Sequence, residues 1–231
     1  MNENEDNGFI EPQNLISCAL TAFFTTRSAG DNIEVIAERS NFSSDNIYIP
    51  IQKHTDNIHI LDSVTEPVIA DAVITNKKGI LIGVQVADCV PVLLYDKEKS
   101  VIAAVHAGWR GTAQEILKGT IRAMKERFDS SPDKILVAIG PSIRKCCYEV
   151  GDEVETSVRN ATGEGDYYIK KGNKRFIDLS SANKIQALSM GIPEDNIWQS
   201  EECTFCNPEK FHSYRYTKKS AGRQGGFIGM W

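Results

Sequence analysis

Three apolar runs stand almost back to back in the middle of the chain: "GILIGVQVADC" (79–89), "VPVLLYD" (90–96) and "VIAAVHAG" (101–108). Each is too short for a buried helix and is rich in β-branched residues, so each reads as a strand buried on both faces. The polar break "DKEKS" before Val101 suits an antiparallel connection. A chain with such a centre must build a sheet and then find elements to cover it.

The flanking segments supply candidates. "ALTAFFTT" (19–26) has the β-branched and aromatic content of a strand, and "NIYIPIQKH" (46–54) alternates Ile47, Ile49 and Ile51 with Tyr48, Pro50 and Gln52. Pro50 puts that strand at an edge or near an end, because proline has no N–H to give to a ladder. "KILVAIGP" (134–141) reads as a further buried strand. Helical spacing joins Ile116, Leu117, Ile121, Met124 and Phe128, and Thr112 with Glu115 has the form of a capping box that would start this helix. "SANKIQALSMG" (181–191) reads as a second amphipathic helix stopped by Gly191. The order is strands, helix, strand, helix with no repeated βαβ unit. The expectation is therefore an α+β fold, a single layered domain with mixed β-sheets flanked by helices over residues 9–231, preceded by a frayed N-terminus at 1–8.

Composition narrows the class of function. The 231 residues are 41% hydrophobic and 25% charged, so the chain can bury roughly 70% of its unfolded surface and needs no disulfides to fold. A net charge of −5 argues against nucleic acid as a partner and leaves small molecules. No apolar run is long enough to span a membrane, and the opening "MNENEDNG" is acidic where a secretory signal would be basic, so a cytoplasmic location is expected. The six cysteines are then expected to be thiols or metal ligands.

Chemistry concentrates at strand ends. His54 follows "IPIQK", Cys89 closes the first apolar run and His106 closes the third. Imidazole and thiolate suit zinc or copper, and three protein ligands would leave a position open for water, as in catalytic zinc sites. The same atoms admit other readings. Cys89 could be a nucleophile with His106 as its base, giving a hydrolase or amidase, or each could be an ordinary structural residue. His59, in an alternating stretch, reads as surface or structural; Asp88 reads as capping the strand end or orienting a neighbour. Arg110, beside Gly111 and Thr112 at a helix start, offers an anion site or, equally, a partner for a carboxylate. Cys146 and Cys147 read as ordinary thiols, because adjacent cysteines seldom share one metal. Cys203 and Cys206 form a lone CxxC, weak evidence for zinc without a second pair, although a zinc-binding interaction module that uses both is the non-enzyme reading of the chain. The C-terminal "FHSYRYTKKSAGRQGGFIGMW" mixes aromatic and basic residues; it admits a nucleotide-facing role but, in an acidic chain, reads first as a solvated face.

"QKHTD", "ADCVPVLLYD", "HAGWRGT", "GPSIRKCCYEVGDEV" and "FHSYR" followed by "GR" together resemble the laccase-domain family, also called multicopper polyphenol oxidases and regarded as purine nucleoside phosphorylases. The likeness runs from about Phe23 to Ile228. It implies a metal, usually zinc, on His54, Cys89 and His106, and a pocket arginine whose nearest match is Arg39 in "AERSN". It also implies phosphorolysis of adenosine, inosine and S-methyl-5'-thioadenosine, and deamination of adenosine, so purine nucleosides and phosphate are the expected partners. An activated water at C6 of the purine would serve deamination, and phosphate held by Arg110 would serve phosphorolysis. A cell-wall-precursor amidase is associated with relatives. True multicopper chemistry needs many imidazoles, and four histidines cannot supply them; at most one copper and a side oxidase activity would fit. The family's usual glycine pair after "TR" is replaced by "SAG" at 28–30.

Overall fold

The computed structural model describes residues 7–218 and 221–231. Of the N-terminal segment expected to fray, residues 1–6 lie outside the described residues. Gly8 is buried, and its carbonyl accepts from the Thr26 N–H.

Among the described residues the strands form three sheets. Strands β1 (Phe9–Ile10), β2 (Leu20–Thr25), β3 (Ile47–Tyr48), β6 (Leu81–Val86) and β14 (Gln224–Met230) make a five-stranded sheet in the order β1-β2-β14-β6-β3. Strands β4 (Ile58–Ile60), β5 (Ala72–Thr75), β7 (Val90–Asp96), β8 (Val101–Ala107), β9 (Ile135–Ile139) and β13 (Ile197–Gln199) make a six-stranded sheet in the order β13-β9-β7-β8-β5-β4. A small sheet joins β10 (Glu149–Val150), β11 (Tyr168–Lys171) and β12 (Lys174–Ile177). Helices α1 (Ile33–Ser40), α2 (Trp109–Ala113), α3 (Ile116–Phe128), α4 (Asp152–Thr162), α5 (Leu179–Ser189) and α6 (Tyr214–Thr217) complete the α+β fold.

Period-two alternation decides what each strand faces. Along β8, Ile102 and Ala104 enter the core between the two large sheets, while Val101, Ala103, Val105 and Ala107 enter the core beneath α3 and α5. Leu93 of β7 joins the first core, and Val90, Val92 and Leu94 join the second. Each Val, Leu or Ile so buried stabilises the fold by about 1.5–3 kcal/mol, and both faces of the central sheet draw on it. A third cluster of Phe23, Ile36, Phe42, Leu81 and Phe227 packs α1 on the outer face of the five-stranded sheet. The antiparallel pairing of β7 with β8 follows the expectation from the short break, and β3 is an edge strand as Pro50 required.

Two expectations are corrected. The C-terminal segment is no solvated face beyond Arg223: Gln224–Met230 is buried throughout as β14, between β2 and β6. Its glycines hid it, since Gly225, Gly226 and Gly229 leave room for Phe227, Phe24 and Phe42, whose rings a Cβ would meet at 2.7–2.9 Å. Nor do Thr112 and Glu115 form a capping box. The chain makes the short α2, breaks at Glu115 with φ +60°, and only then starts α3. Thr112 is buried, accepting a hydrogen bond from Asn183 Nδ2 at 2.9 Å, and Glu115 pairs with Lys118.

Candidate metal centre

The site grows from the places where the chain passes between the two large sheets. The crossing from β6 to β7 carries Asp88 and Cys89; the crossing from β3 to β4 carries His54. His106 continues the even-numbered face of β8, so it points into the gap between the sheets at its open end. Register places Pro91 opposite His106 and Val90 opposite Ala107, which brings Cys89 beside Gly108. The ligand atoms of His54, Cys89 and His106 all lie within 4.8 Å of one another, with Cys89 Sγ 3.8 Å from His54 Nε2. The three residues that sequence reasoning selected are therefore brought together.

Asp71, which sequence reasoning missed, organises them. It immediately precedes β5, and the pairing of Ala72 with Val105 puts it opposite His106. His106 Nδ1 donates to Asp71 Oδ1 at 2.7 Å, leaving Nε2 to face the other two side chains. The same carboxylate accepts the backbone N–H groups of Lys53, His54 and Thr55 and the Thr55 hydroxyl. These bonds hold His54 in a left-handed backbone conformation, φ +60°, that costs a side-chain-bearing residue roughly 1–2 kcal/mol. The available signal was a lone carboxylate in the apolar stretch "VIADAVIT", which burial permits only with partners.

The electrostatics match the geometry. Burial alone would raise the Asp71 carboxyl, but the hydrogen bonds from His106 and Thr55 hold it well below the usual carboxylate range. Burial would likewise raise the Cys89 thiol, yet the positive charge of His106 and hydrogen bonds from both histidines pull it down to about 6. Burial opposes charge on His106, and the Cys89 thiolate with Asp71 reverses this, pushing it up to about 9. Cys89 is thus held as a thiolate by an imidazolium partner, and a metal bound there would displace the His106 Nε2 proton, because a ligating imidazole is neutral.

The donors fit a metal ion. Zinc binds imidazole nitrogen at about 2.0–2.1 Å and thiolate at about 2.3 Å, and the spread of the three ligand atoms allows both. Gly108 keeps the space clear: a Cβ there would lie 2.9 Å from His54 Cδ2 and 3.0 Å from Cys89 Sγ. The carboxylate behind His106 fixes the ring as supporting partners of metal-bound imidazoles do.

A cavity of about 970 Å³ opens over these residues. Ile33, Ile49, Pro50 and Ile51 form an apolar wall, and Arg110, Arg215 and Arg223 also line it. Arg110 stacks on Trp109, its guanidinium carbon 4.3 Å from the ring centroid. The five-residue α2 is too short to offer a helix N-terminus, so the expected anion site reduces to the guanidinium groups. Tyr148 lines the cavity as well; burial and the nearby Cys89 thiolate push its phenol up to about 12, so it remains a protonated donor. Asp88 is buried, accepting from the Thr204 hydroxyl and the Arg215 N–H at 2.6 Å each, which ties the C-terminal segment to the crossing that bears Cys89.

Arg39 is not brought to the cavity. It stands on α1, pairs with Glu11 and lies over the Phe9 ring. His59 packs against Tyr48 away from the centre. The four cysteines read as ordinary thiols or as a weak CxxC instead converge: Cys146, Cys147, Cys203 and Cys206 form a second cluster with all sulfurs within 4.8 Å of one another.

Residues 25–231 match the family model described as multi-copper polyphenol oxidoreductase laccase. The chain belongs to this family. Within the laccase family it is 41% identical to a purine nucleoside phosphorylase of Clostridium acetobutylicum, over 89% of this chain and 90% of the relative. It is 35% identical to an adenosine deaminase, RL5, from an unknown prokaryotic organism, over 78% of this chain and 73% of the relative. The crystal structure of YlmD from Geobacillus stearothermophilus superimposes with a TM-score of 0.90 at 27% identity, covering 99% of this chain and 98% of that one. No helix among the described residues is long and apolar enough to cross a membrane.

Proposed function

We propose that residues 9–231 form one catalytic domain that acts as a zinc-dependent purine nucleoside phosphorylase on adenosine, inosine and S-methyl-5'-thioadenosine, and that also deaminates adenosine. One observation carries the reading: a His54, Cys89 and His106 donor set, backed by Asp71, opens into a cavity that three arginines line. The names of the relatives support both reactions.

His54, Cys89 and His106 would hold the zinc, which supplies a Lewis acid and an activated water. Asp71 keeps the His106 Nδ1 proton at the carboxylate and so turns Nε2 towards the metal. Arg110, Arg215 and Arg223 bind the phosphate dianion in the cavity. In phosphorolysis a phosphate oxygen bonds to C1′ as the bond from C1′ to the purine nitrogen breaks. Its electron pair leaves on the base, which takes a proton; the Tyr148 phenol is a donor within the same cavity. Ile49, Pro50 and Ile51 offer the purine an apolar wall.

A second reading has its own observation. Cys89, His106 and Asp71 also have the order of a thiol nucleophile, its imidazole partner and an orienting carboxylate, which would make a metal-independent hydrolase or amidase. Copper would find the same donors and would bring a side oxidase activity. Product analysis with adenosine separates these outcomes. Ribose 1-phosphate with adenine, appearing only with phosphate and lost on chelation, marks the phosphorylase; inosine without added phosphate marks the deaminase. Turnover that survives chelation but not thiol blocking would replace both with the hydrolase. Arg110→Ala should raise the phosphate KM about tenfold, the effect of losing roughly 1.4 kcal/mol of binding, with little change in the nucleoside KM. An unchanged phosphate KM would remove Arg110 from that role.

A further inference from the structure

The second sulfur cluster is a product of topology. Strands β9 and β13 pair in parallel, so the loops that leave them start side by side, and a bridge between Ser142 and Cys203 extends the contact. One loop delivers Cys146 and Cys147, and the other delivers Cys203 and Cys206. In an extended strand, adjacent cysteines would point to opposite faces. Here the N–H groups of Cys147 and Tyr148 both return to the Arg144 carbonyl at 2.9 Å, and the turn lets both thiols reach Cys206. Cys206 Sγ lies 3.2 Å from Cys147 Sγ and 3.6 Å from Cys146 Sγ.

We propose that Cys146, Cys147, Cys203 and Cys206 form a second, structural metal site that takes zinc as a four-thiolate ion, separate from the His54 centre. Four thiolates about 2.3 Å from a zinc stand about 3.8 Å from one another, close to the separations here, whereas a disulfide needs only two sulfurs and would leave the other two without a purpose. Cys203 is buried while Cys146 and Cys206 reach the surface, so the site has a sealed side and an entry side. The site is closed rather than catalytic, because protein sulfurs fill all four positions.

Its role follows from its neighbours. Cys147 precedes Tyr148 of the cavity, and Cys203 precedes Thr204, whose hydroxyl holds Asp88 beside Cys89. A metal at the cluster clamps these two loops and thereby fixes one wall of the cavity.

The test counts metal on the whole chain purified and reconstituted with zinc under reducing conditions. The Cys89→Ala variant, which cannot assemble the His54 centre, should still hold about one zinc per chain, as a filled four-thiolate site does. Adding Cys206→Ser or Cys146→Ser, both at exposed positions, should remove it while circular dichroism shows a retained fold. Cobalt in Cys89→Ala should give the intense near-ultraviolet absorption of several thiolates on one metal. Cys89→Ala protein that binds no zinc, or zinc that survives both serine substitutions, would overturn the proposal. So would a disulfide within the cluster that resists reduction. A wild-type chain whose zinc survives Cys89→Ala but is lost in Cys206→Ser would uphold this site and remove the metal from the His54 centre.

Discussion

A carboxylate taken out of water costs several kcal/mol unless charge and hydrogen bonds answer it, and Asp71 is fully buried. Its oxygens meet one imidazole, three backbone N–H groups and a hydroxyl, so every acceptor position has a use. The same bonds that make the burial tolerable fix the His106 tautomer and the His54 backbone. Asp71→Asn keeps the shape but loses the charge and turns one acceptor into a donor aimed at other donors. Zinc affinity should fall about 10–100-fold, the usual cost of losing a partner behind a metal-bound histidine, when measured by competition with a chelator. Equal affinity in Asp71→Asn protein of native circular dichroism would mean that Asp71 is only a structural anchor.

At the scale of elements, the break between α2 and α3 shows why one part of the sequence was legible and another was not. The apolar spacing of Ile116, Leu117, Ile121 and Met124 marked the long helix because it reflects one buried face, a local property. Its start was misplaced because Thr112 is claimed by a distant partner, Asn183 of α5, rather than by the next turn. Sequence spacing cannot show that competition. Thr112→Val should therefore destabilise the fold by about 1–3 kcal/mol, the cost of stripping a buried amide of a partner, read as a lower urea midpoint with an unchanged slope. A surface cap would lose less than this and would leave α5 unaffected. β14 escaped notice for a related reason: its glycines carry no hydrophobic signal, and the rings that fill the space come from β2, from its own Phe227 and from Phe42. Likewise, His54, Cys89 and His106 were legible as residue types in repeated positions, while Arg215 and Arg223, inside "FHSYR" and "GR", were legible as basic residues of a motif but not as the lining of the same cavity, because spacing does not show where a loop returns. The CxxC at Cys203 lacked its second pair in sequence because β9 and β13 supply that pair only through parallel pairing.

Across the whole molecule, the candidate centre sits where both large sheets hand over the chain. His54 comes from the crossing that leaves β3, Cys89 from the crossing between β6 and β7, and His106 from β8 itself. A metal there would join the two layers at the end of their shared core. Binding to the folded state alone at a hundredfold excess over Kd adds about 2.7 kcal/mol. For a chain of this size, each kcal/mol moves Tm by about 2–4 °C. Zinc should thus raise the Tm of the wild type by roughly 5–10 °C more than that of Cys89→Ala at the same zinc concentration. The comparison subtracts whatever the four-cysteine cluster contributes, since that cluster is intact in both proteins. Equal shifts would place the stabilisation at the cluster and leave the His54 centre without a metal, whereas the expected difference ties the sheet-to-sheet junction to the ion it holds.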